Sequence, residues 1–269
     1  MHALVRHQGE REGQVTANRT CVANTPCRTL QPADTHAQLV HALPMTDEET
    51  LENYAEVLRR IRLGAETADR DPAEVTLTAV TKTHDADRVA PLLEAGHRDF
   101  GENRVQEAMA KWPALRERYA DVVLRLIGPL QSNKAAEAVE TFDIIETVDR
   151  EKIARVLASE MEKQDRRLPC YVQVNTGEEP QKAGVSLAEA VGFATRCREE
   201  HRLNVVGLMC IPPLDAVPGP HFALLAGLAR EAGLAELSMG MSGDYEAAVS
   251  LGATSVRVGS GIFGARPKT

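Results

Sequence analysis

The chain has 269 residues, of which 43% are hydrophobic and 26% are charged, and its formal net charge is −8. This composition is typical of a globular protein whose core needs neither disulfides nor a metal. The acidic balance argues against nucleic-acid binding, which needs a basic face. No run of about 18 apolar residues is present to cross a membrane. Five cysteines without a Cys-x-x-Cys pair favour a reducing compartment, so we expect a cytoplasmic location.

Residues 1–44 differ from the rest of the chain. They contain no lysine, and they hold four of the eight histidines and two cysteines. The spacing of these residues matches no zinc-ligand pattern, so no metal site is predicted. No apolar stretch resembles a secretory signal. We expect a disordered N-terminal extension, followed by one domain over residues 45–269.

From Thr46 onward the pattern alternates between helical and extended segments. Thr46 and Glu49 form a capping box that opens an amphipathic helix ending near Arg70. Eight β-branched or aliphatic runs then predict strands, beginning at Val75, Arg98, Val122, Phe142, Cys170, Asn204, Glu236 and Ser255. Helical periodicity fills the intervals, over residues 85–95, 104–119, 133–141, 150–164, 187–201, 221–232 and 244–251.

Capping residues and glycines support the boundaries of these segments. Ser186 and Glu189 form a second capping box at the start of the helix predicted over 187–201. Glycines stand where three of the helices should end, at positions 96, 233 and 252.

Strands that are apolar throughout and separated by helices indicate a parallel sheet covered on both sides. Eight such units in this length predict a (β/α)8 barrel, and a doubly wound open sheet is the alternative. An open sheet often places a glycine-rich phosphate loop after its first strand, where this chain has Lys82-Thr-His. The glycine-rich segment instead follows the eighth strand, which is where barrels bind phosphate.

In a barrel the residues after each strand converge on one mouth. Lys82 follows a predicted buried strand, so its amine is expected to be partly desolvated. Such an amine is a nucleophile that can form a Schiff base with an aldehyde. The alternative is an ordinary solvated lysine on the surface. Residues 259–264 and Ser242 offer a phosphate cradle, although Ser242 could instead cap its helix. An amine and a phosphate cradle at one mouth together predict pyridoxal 5′-phosphate (PLP).

Three other polar residues leave two interpretations open. Arg257 lies inside the last strand and faces either the barrel interior, with a partner, or the helices outside. Asn103 and Asn175 either line the pocket or cap turns. The cysteines of the barrel are expected in the core, at positions 170, 197 and 210.

Six segments of the chain, taken together and in order, resemble the pyridoxal phosphate homeostasis protein family. That family is similar to the barrel domain of bacterial alanine racemase, and the resemblance covers about residues 46–267. The segments are AVTKTH (79–84), FGENRVQE (100–107), IGPLQSNK (127–134), GLMCIP (207–212), SMGMSGDYEAAV (238–249) and VRVGSGIFGAR (256–266).

The resemblance implies a role for each matching residue. It implies a single barrel in which Lys82 forms the Schiff base with PLP and Arg257 faces the pyridine nitrogen. The remaining implied residues are Ser242, Gly259 and Ser260 at the phosphate, Asn103 on the pocket wall, and Lys182 as a second lysine linked to PLP handling. Three features depart from the family: the extension of residues 1–44, Arg125 where histidine is expected, and Gly243 where aspartate or alanine is commoner.

These features lead to an expected function. An arginine beside the pyridine nitrogen opposes its protonation and makes the ring a poorer electron sink. Alanine racemases add a β-domain with a catalytic tyrosine, whereas only five residues follow Gly264 and none of the four tyrosines matches that motif. We therefore expect a monomeric PLP carrier that buffers PLP and supplies it to apo-enzymes, without catalytic residues. The alternatives are a low-activity racemase and a sugar-phosphate barrel enzyme without PLP.

Overall fold

A computed structural model describes residues 45–264 and places them in a closed barrel of eight parallel strands. This confirms the (β/α)8 barrel and excludes the open sheet. The extension predicted for residues 1–44 lies outside the described residues. The strands are β1 (Thr76–Val80), β2 (Asp99–Glu102), β3 (Val123–Leu126), β4 (Ile144–Val148), β5 (Pro169–Val174), β6 (Asn204–Cys210), β7 (Glu236–Met241) and β8 (Ser255–Val258).

One helix precedes the barrel, and at least one follows each strand. They are α1 (Asp47–Thr67), α2 (Ala86–Glu94), α3 (Val105–Arg118), α4 (Ala135–Thr141), α5 (Glu151–Lys163), α6 (Ala190–Glu199), α7 (Pro218–Glu231), α8 (Tyr245–Ser250) and α9 (Ser260–Phe263). The barrel closes because β1 pairs with β8 as well as with β2, with Leu77 opposite Val256.

Most of the helix-capping residues predicted from the sequence cap helices in the structure. The Thr46 hydroxyl accepts the Glu49 amide (3.2 Å), and the Glu49 carboxylate accepts the Thr46 amide (2.7 Å), which completes the capping box at α1. The glycines at 96, 233 and 252 have φ of +90°, +65° and +101°. This left-handed conformation ends a helix at little steric cost only for glycine.

Two helix starts were placed wrongly. The second capping box does not form, because the Ser186 hydroxyl donates to the Glu189 carboxylate (2.6 Å) and α6 begins only at Ala190. By contrast, α7 starts three residues earlier than predicted, at Pro218, since proline already has a helical φ and needs no amide in the first turn. The short helix α9 in the glycine-rich segment was not predicted.

The three cysteines of the described residues are buried free thiols, as expected. Burial raises the pKa of Cys170, Cys197 and Cys210 to about 12, so these thiols are unreactive. Within residues 45–264, no helix is both long enough and apolar enough to span a bilayer. The same residues contain no cluster of three or more histidine, cysteine or carboxylate side chains suited to a metal ion.

Candidate functional site

The carboxyl ends of the strands surround a cavity of about 250 Å³. Lys82, half-buried in the loop between β1 and α2, lines this cavity. Six of the seven residues predicted for the site share it: Lys82, Asn103, Ser242, Arg257, Gly259 and Ser260. The barrel thus brings together an amine, a guanidinium, a hydroxyl and a glycine-rich backbone from the ends of three strands, β1, β7 and β8.

Ser242 and the segment after β8 form one wall of the cavity. The Ser242 hydroxyl accepts the amides of Gly259 (3.2 Å) and Gly261 (3.1 Å), which draws the two loops together. A Cβ at position 261 would lie 2.8 Å from the Val258 side chain and 3.6 Å from the Ser242 oxygen. Glycine is therefore needed for this close approach, and it leaves N–H groups next to a hydroxyl, the donor types that bind phosphate oxygens.

Arg257 faces the barrel interior, which settles the choice that the sequence left open. Its side chain is only 3% exposed, and its guanidinium donates to the Cys210 carbonyl (2.8 Å) and to the Ser238 hydroxyl. One side of the guanidinium is thereby fixed to β6 and β7 while the residue lines the cavity. A guanidinium donates hydrogen bonds and cannot accept them, so this group presents a cation and N–H donors.

A chain of alternating charges continues from Arg257 through the barrel interior. The Glu146 carboxylate lies 3.9 Å from the Arg257 guanidinium and accepts bonds from the Ser238 hydroxyl (2.6 Å) and from Arg125 (3.2 Å). Arg125 in turn pairs with Asp99 at 2.9 Å. Two cations thus face two carboxylates, and such buried charges persist only when they are paired and hydrogen-bonded in this way.

Arg125 is one of the two residues that depart from the family pattern, and its surroundings explain how it is accommodated. Burial opposes its charge, but the carboxylates of Glu146 and Asp99 outweigh that effect and raise its pKa above the ordinary value. Burial and the Glu146 carboxylate also raise the pKa of the neighbouring Tyr171. Sequence reasoning missed Glu146, although a glutamate inside the apolar run FDIIETV implies a buried partner.

His84 is a second residue that the sequence analysis did not assign. It lines the cavity two positions after Lys82 and packs on the Phe263 ring, with centroids 4.8 Å apart. Burial and then the cations of Arg88 and Lys111 lower its pKa below 6.5. The imidazole is therefore neutral near pH 7, so the cavity wall beside Lys82 carries no added positive charge from this side chain.

Two predicted positions lie outside this cavity. Lys182 does not line it; the ammonium group pairs with Glu179 at 2.6 Å and reaches the Pro212 carbonyl at 3.4 Å. Asn175 caps its own turn, since its amide donates to the Glu179 carbonyl and its oxygen accepts the Glu179 amide. The link between Lys182 and PLP handling therefore stays a prediction.

Comparison with known proteins places the chain in a family. The model of the alanine racemase N-terminal domain matches residues 53–267. A pyridoxal phosphate homeostasis protein of Pseudomonas aeruginosa is 42% identical over 222 residues, covering 80% of this chain and 95% of that protein. The protein of the same name from Escherichia coli K12 is 39% identical over 223 residues, with the same coverage.

Solved structures agree with this placement. PipY of Synechococcus elongatus, with PLP bound, has 36% identity and a TM-score of 0.69, covering 80% of this chain and all of PipY. An alanine racemase of Clostridium difficile has 15% identity and a TM-score of 0.61 over 81% of this chain and 58% of its own, which shows a shared fold alone. The chain therefore belongs to the pyridoxal phosphate homeostasis protein family, built on the barrel of the alanine racemase N-terminal domain.

Proposed function

We propose that this protein binds PLP in the cavity at the barrel mouth, buffers it and supplies it to apo-enzymes, without sustained turnover of a substrate. The observation that carries the proposal is the convergence of Lys82, Arg257 and the Ser242 loop on one cavity. The names of the relatives and the PLP bound in PipY support it.

The donor set of the cavity fits PLP group by group. When bound, PLP supplies an aldehyde that an amine can attack, a phosphate and a pyridine ring that withdraws electrons. The Lys82 amine would be the nucleophile for the aldehyde, and the Ser242 hydroxyl with the amides near Gly259 and Ser260 would hold the phosphate. Arg257 would face the ring nitrogen, and Asn103 lines the cavity wall.

The fixed guanidinium favours a carrier over an enzyme. The Arg257 guanidinium is a cation held in place by Ser238 and the Cys210 carbonyl, so it would oppose protonation of a ring nitrogen beside it. A ring without that proton stabilises a carbanion poorly. No tyrosine of the described barrel lines the cavity; the imidazole of His84 does, and the racemisation assay below tests whether it acts as an acid or base.

Covalent trapping tests the binding site. After incubation with PLP and reduction with borohydride, the wild type should carry one phosphopyridoxyl group on Lys82, located by peptide mass spectrometry. Lys82→Ala should lose this label and weaken PLP binding at least about tenfold. Lys134→Ala, which removes a half-buried lysine paired with Glu137, is the matched control and should behave as the wild type. Labelling of another lysine, with Lys82 untouched, would refute the proposed site; Lys182→Ala separately tests that residue.

The carrier function needs a second measurement. PLP-loaded protein should restore activity to an apo-enzyme from which PLP was removed, and should interconvert L- and D-alanine no faster than free PLP. Rapid racemisation would instead favour the enzyme alternative. We further infer a cytoplasmic location, because the buried free thiols of the described residues suit a reducing compartment. We also propose that the protein is a monomer, which light scattering tests. The net charge of −8 gives no electrostatic support for nucleic-acid binding.

A further inference from the structure

Lys111 on α3 contacts the loop that carries Lys82 from behind. Its side chain is only 8% exposed, and its ammonium group donates to the carbonyl oxygens of Thr81 and His84, each at 2.8 Å. These two carbonyls lie on either side of Lys82 in the sequence. One buried cation therefore contacts both ends of the short segment 81–84 that carries Lys82.

Glu102 at the end of β2 supports this cation. Its carboxylate is fully buried and lies 2.5 Å from the Lys111 ammonium. The same carboxylate oxygen accepts the Thr81 hydroxyl (2.6 Å) and the Trp112 indole N–H (3.0 Å), while the other oxygen has no hydrogen-bond partner among the described residues. A buried ion pair with one unsatisfied oxygen is a weak source of stability, so its contribution to folding does not explain its position.

The held segment is also conformationally strained. Thr83 has a φ of +66°, in the left-handed region that β-branched residues rarely adopt. The turn is closed by the His84 amide, which donates to the Thr81 carbonyl at 3.1 Å. Without the Lys111 contacts, the segment would gain the freedom to relax toward an extended conformation, and the direction of the Lys82 side chain would change with it.

We propose that Lys111, supported by Glu102, is a positioning residue that directs the Lys82 amine into the cavity; this inference rests on the proposed function. The competing explanation is that Lys111 only neutralises the buried Glu102. The two differ in one respect: removing both charges together abolishes the need for neutralisation but leaves the Thr81 and His84 carbonyls without their common donor.

Three variants separate these explanations. Lys111→Met removes the donor and leaves Glu102 uncompensated, and Lys111→Met with Glu102→Gln removes the donor without leaving a buried charge. Lys111→Arg keeps a cation that can reach the same acceptors. Lys163→Met, which breaks an exposed lysine–glutamate pair elsewhere, is the control. The measurements are the PLP dissociation constant by titration, the midpoint of thermal unfolding, and hydrogen exchange of residues 81–85 in the PLP-free protein.

We expect Lys111→Met to lose both thermal stability and PLP affinity. The neutral double variant should recover the unfolding midpoint yet bind PLP about tenfold more weakly, with faster exchange at the His84 amide, because misplacement of a reacting group alone is costly. Lys111→Arg should recover part of the affinity, and the control should match the wild type in all three measurements.

The outcomes distinguish the inference from the proposed function. A wild type that does not bind PLP refutes the proposed function. A wild type that binds PLP, with a double variant of equal affinity, refutes only the positioning role. If the double variant does not fold, hydrogen exchange of the PLP-free wild type is the deciding measurement. A His84 amide that exchanges as fast as in an unstructured peptide overturns the inference. A protected His84 amide, together with partial recovery of PLP affinity in Lys111→Arg, supports it.

Discussion

His97 connects α1 to the start of β2 through a neutral imidazole. Its Nε2 lies 2.7 Å from the Asp99 carbonyl, which can only accept, so Nε2 carries the proton. The other nitrogen, Nδ1, then accepts from the Tyr54 hydroxyl at 3.3 Å. Burial, the largest influence, lowers the pKa of His97 below 6.5. Protonation would turn Nδ1 into a donor, so the Tyr54 hydroxyl would have to accept instead of donate and the buried ring would carry a charge.

This arrangement predicts a pH dependence of stability. Because the pKa of His97 is lower in the folded protein, the unfolded chain binds more protons as the pH falls through 6.5, and stability falls with it. His97→Gln keeps a donor for Asp99 but cannot be protonated. We expect it to lower the unfolding midpoint at pH 7.5 and to flatten the decline between pH 7.5 and 5.5. Parallel curves for the variant and the wild type would contradict this.

At the scale of single residues, the sequence predicted side chains that follow strands but missed those whose role depends on a partner elsewhere. Lys82 and Ser242 were found because parallel strands in a barrel end at one mouth. Glu146 and Lys111 were missed because each is defined by contacts to other elements, namely Ser238 on β7 and the loop after β1. A buried glutamate in an apolar run signals that a partner exists but not which residue it is.

The neighbouring strands β7 and β8 carry a pair of serines with different tasks. Ser238 and Ser255 are opposite each other in the sheet register, and both are buried, at 0% and 1% exposure. The Ser238 hydroxyl joins Arg257 to Glu146, whereas the Ser255 hydroxyl lies 3.2 Å from the hydroxyl of Thr78. Removing the Ser238 hydroxyl therefore removes a hydrogen bond to the cavity residue Arg257, whereas removing the Ser255 hydroxyl removes only a contact with the neutral hydroxyl of Thr78.

Ser238→Ala should weaken PLP binding several-fold, since the Arg257 guanidinium loses a fixed acceptor. Its free energy of unfolding should fall by about 1–3 kcal/mol, because hydrogen bonds to charged groups are lost, against about 1 kcal/mol for Ser255→Ala. Ser255→Ala should leave the PLP dissociation constant unchanged. PLP titration and urea unfolding of both variants provide the test, and an equal loss of affinity in the two would show that Ser238 has no special link to Arg257.

At the scale of elements, the eight strands were predicted because most of them are short runs rich in β-branched or aliphatic residues between helical segments. The errors in helix boundaries arose where a local sequence signal is compatible with more than one structure. The Ser186 hydroxyl satisfies the Glu189 side chain instead of a helix amide, and the glycine-rich segment 259–264 forms the short helix α9 although glycine disfavours helices. Helix α9 is stabilised by tertiary contacts that the local sequence does not reveal. It packs against α1, and the Asn53 side-chain amide donates a hydrogen bond to the Ile262 carbonyl.

At the scale of the whole molecule, the barrel described from residue 45 contains every residue assigned to the cavity. Its first residues are tied to the mouth, because the Arg88 guanidinium donates to the Met45 carbonyl (2.6 Å) and a Cβ at Gly264 would lie 2.8 Å from the Met45 sulfur. The closed sheet leaves no strand edge to be completed by another segment. A chain that begins at Met45 therefore keeps the closed sheet and every described residue that lines the cavity.

Deletion of residues 1–44 tests whether the barrel is the whole functional domain. The truncated chain should keep the free energy of unfolding within about 0.5 kcal/mol of the full chain, the range of changes away from packed features. Its PLP dissociation constant should be unchanged, and light scattering should give the mass of one chain both with and without the extension. A truncated protein that binds PLP more weakly, or that changes its assembly state, would assign the extension a part in the site or in an interface, because the barrel residues are identical in both proteins.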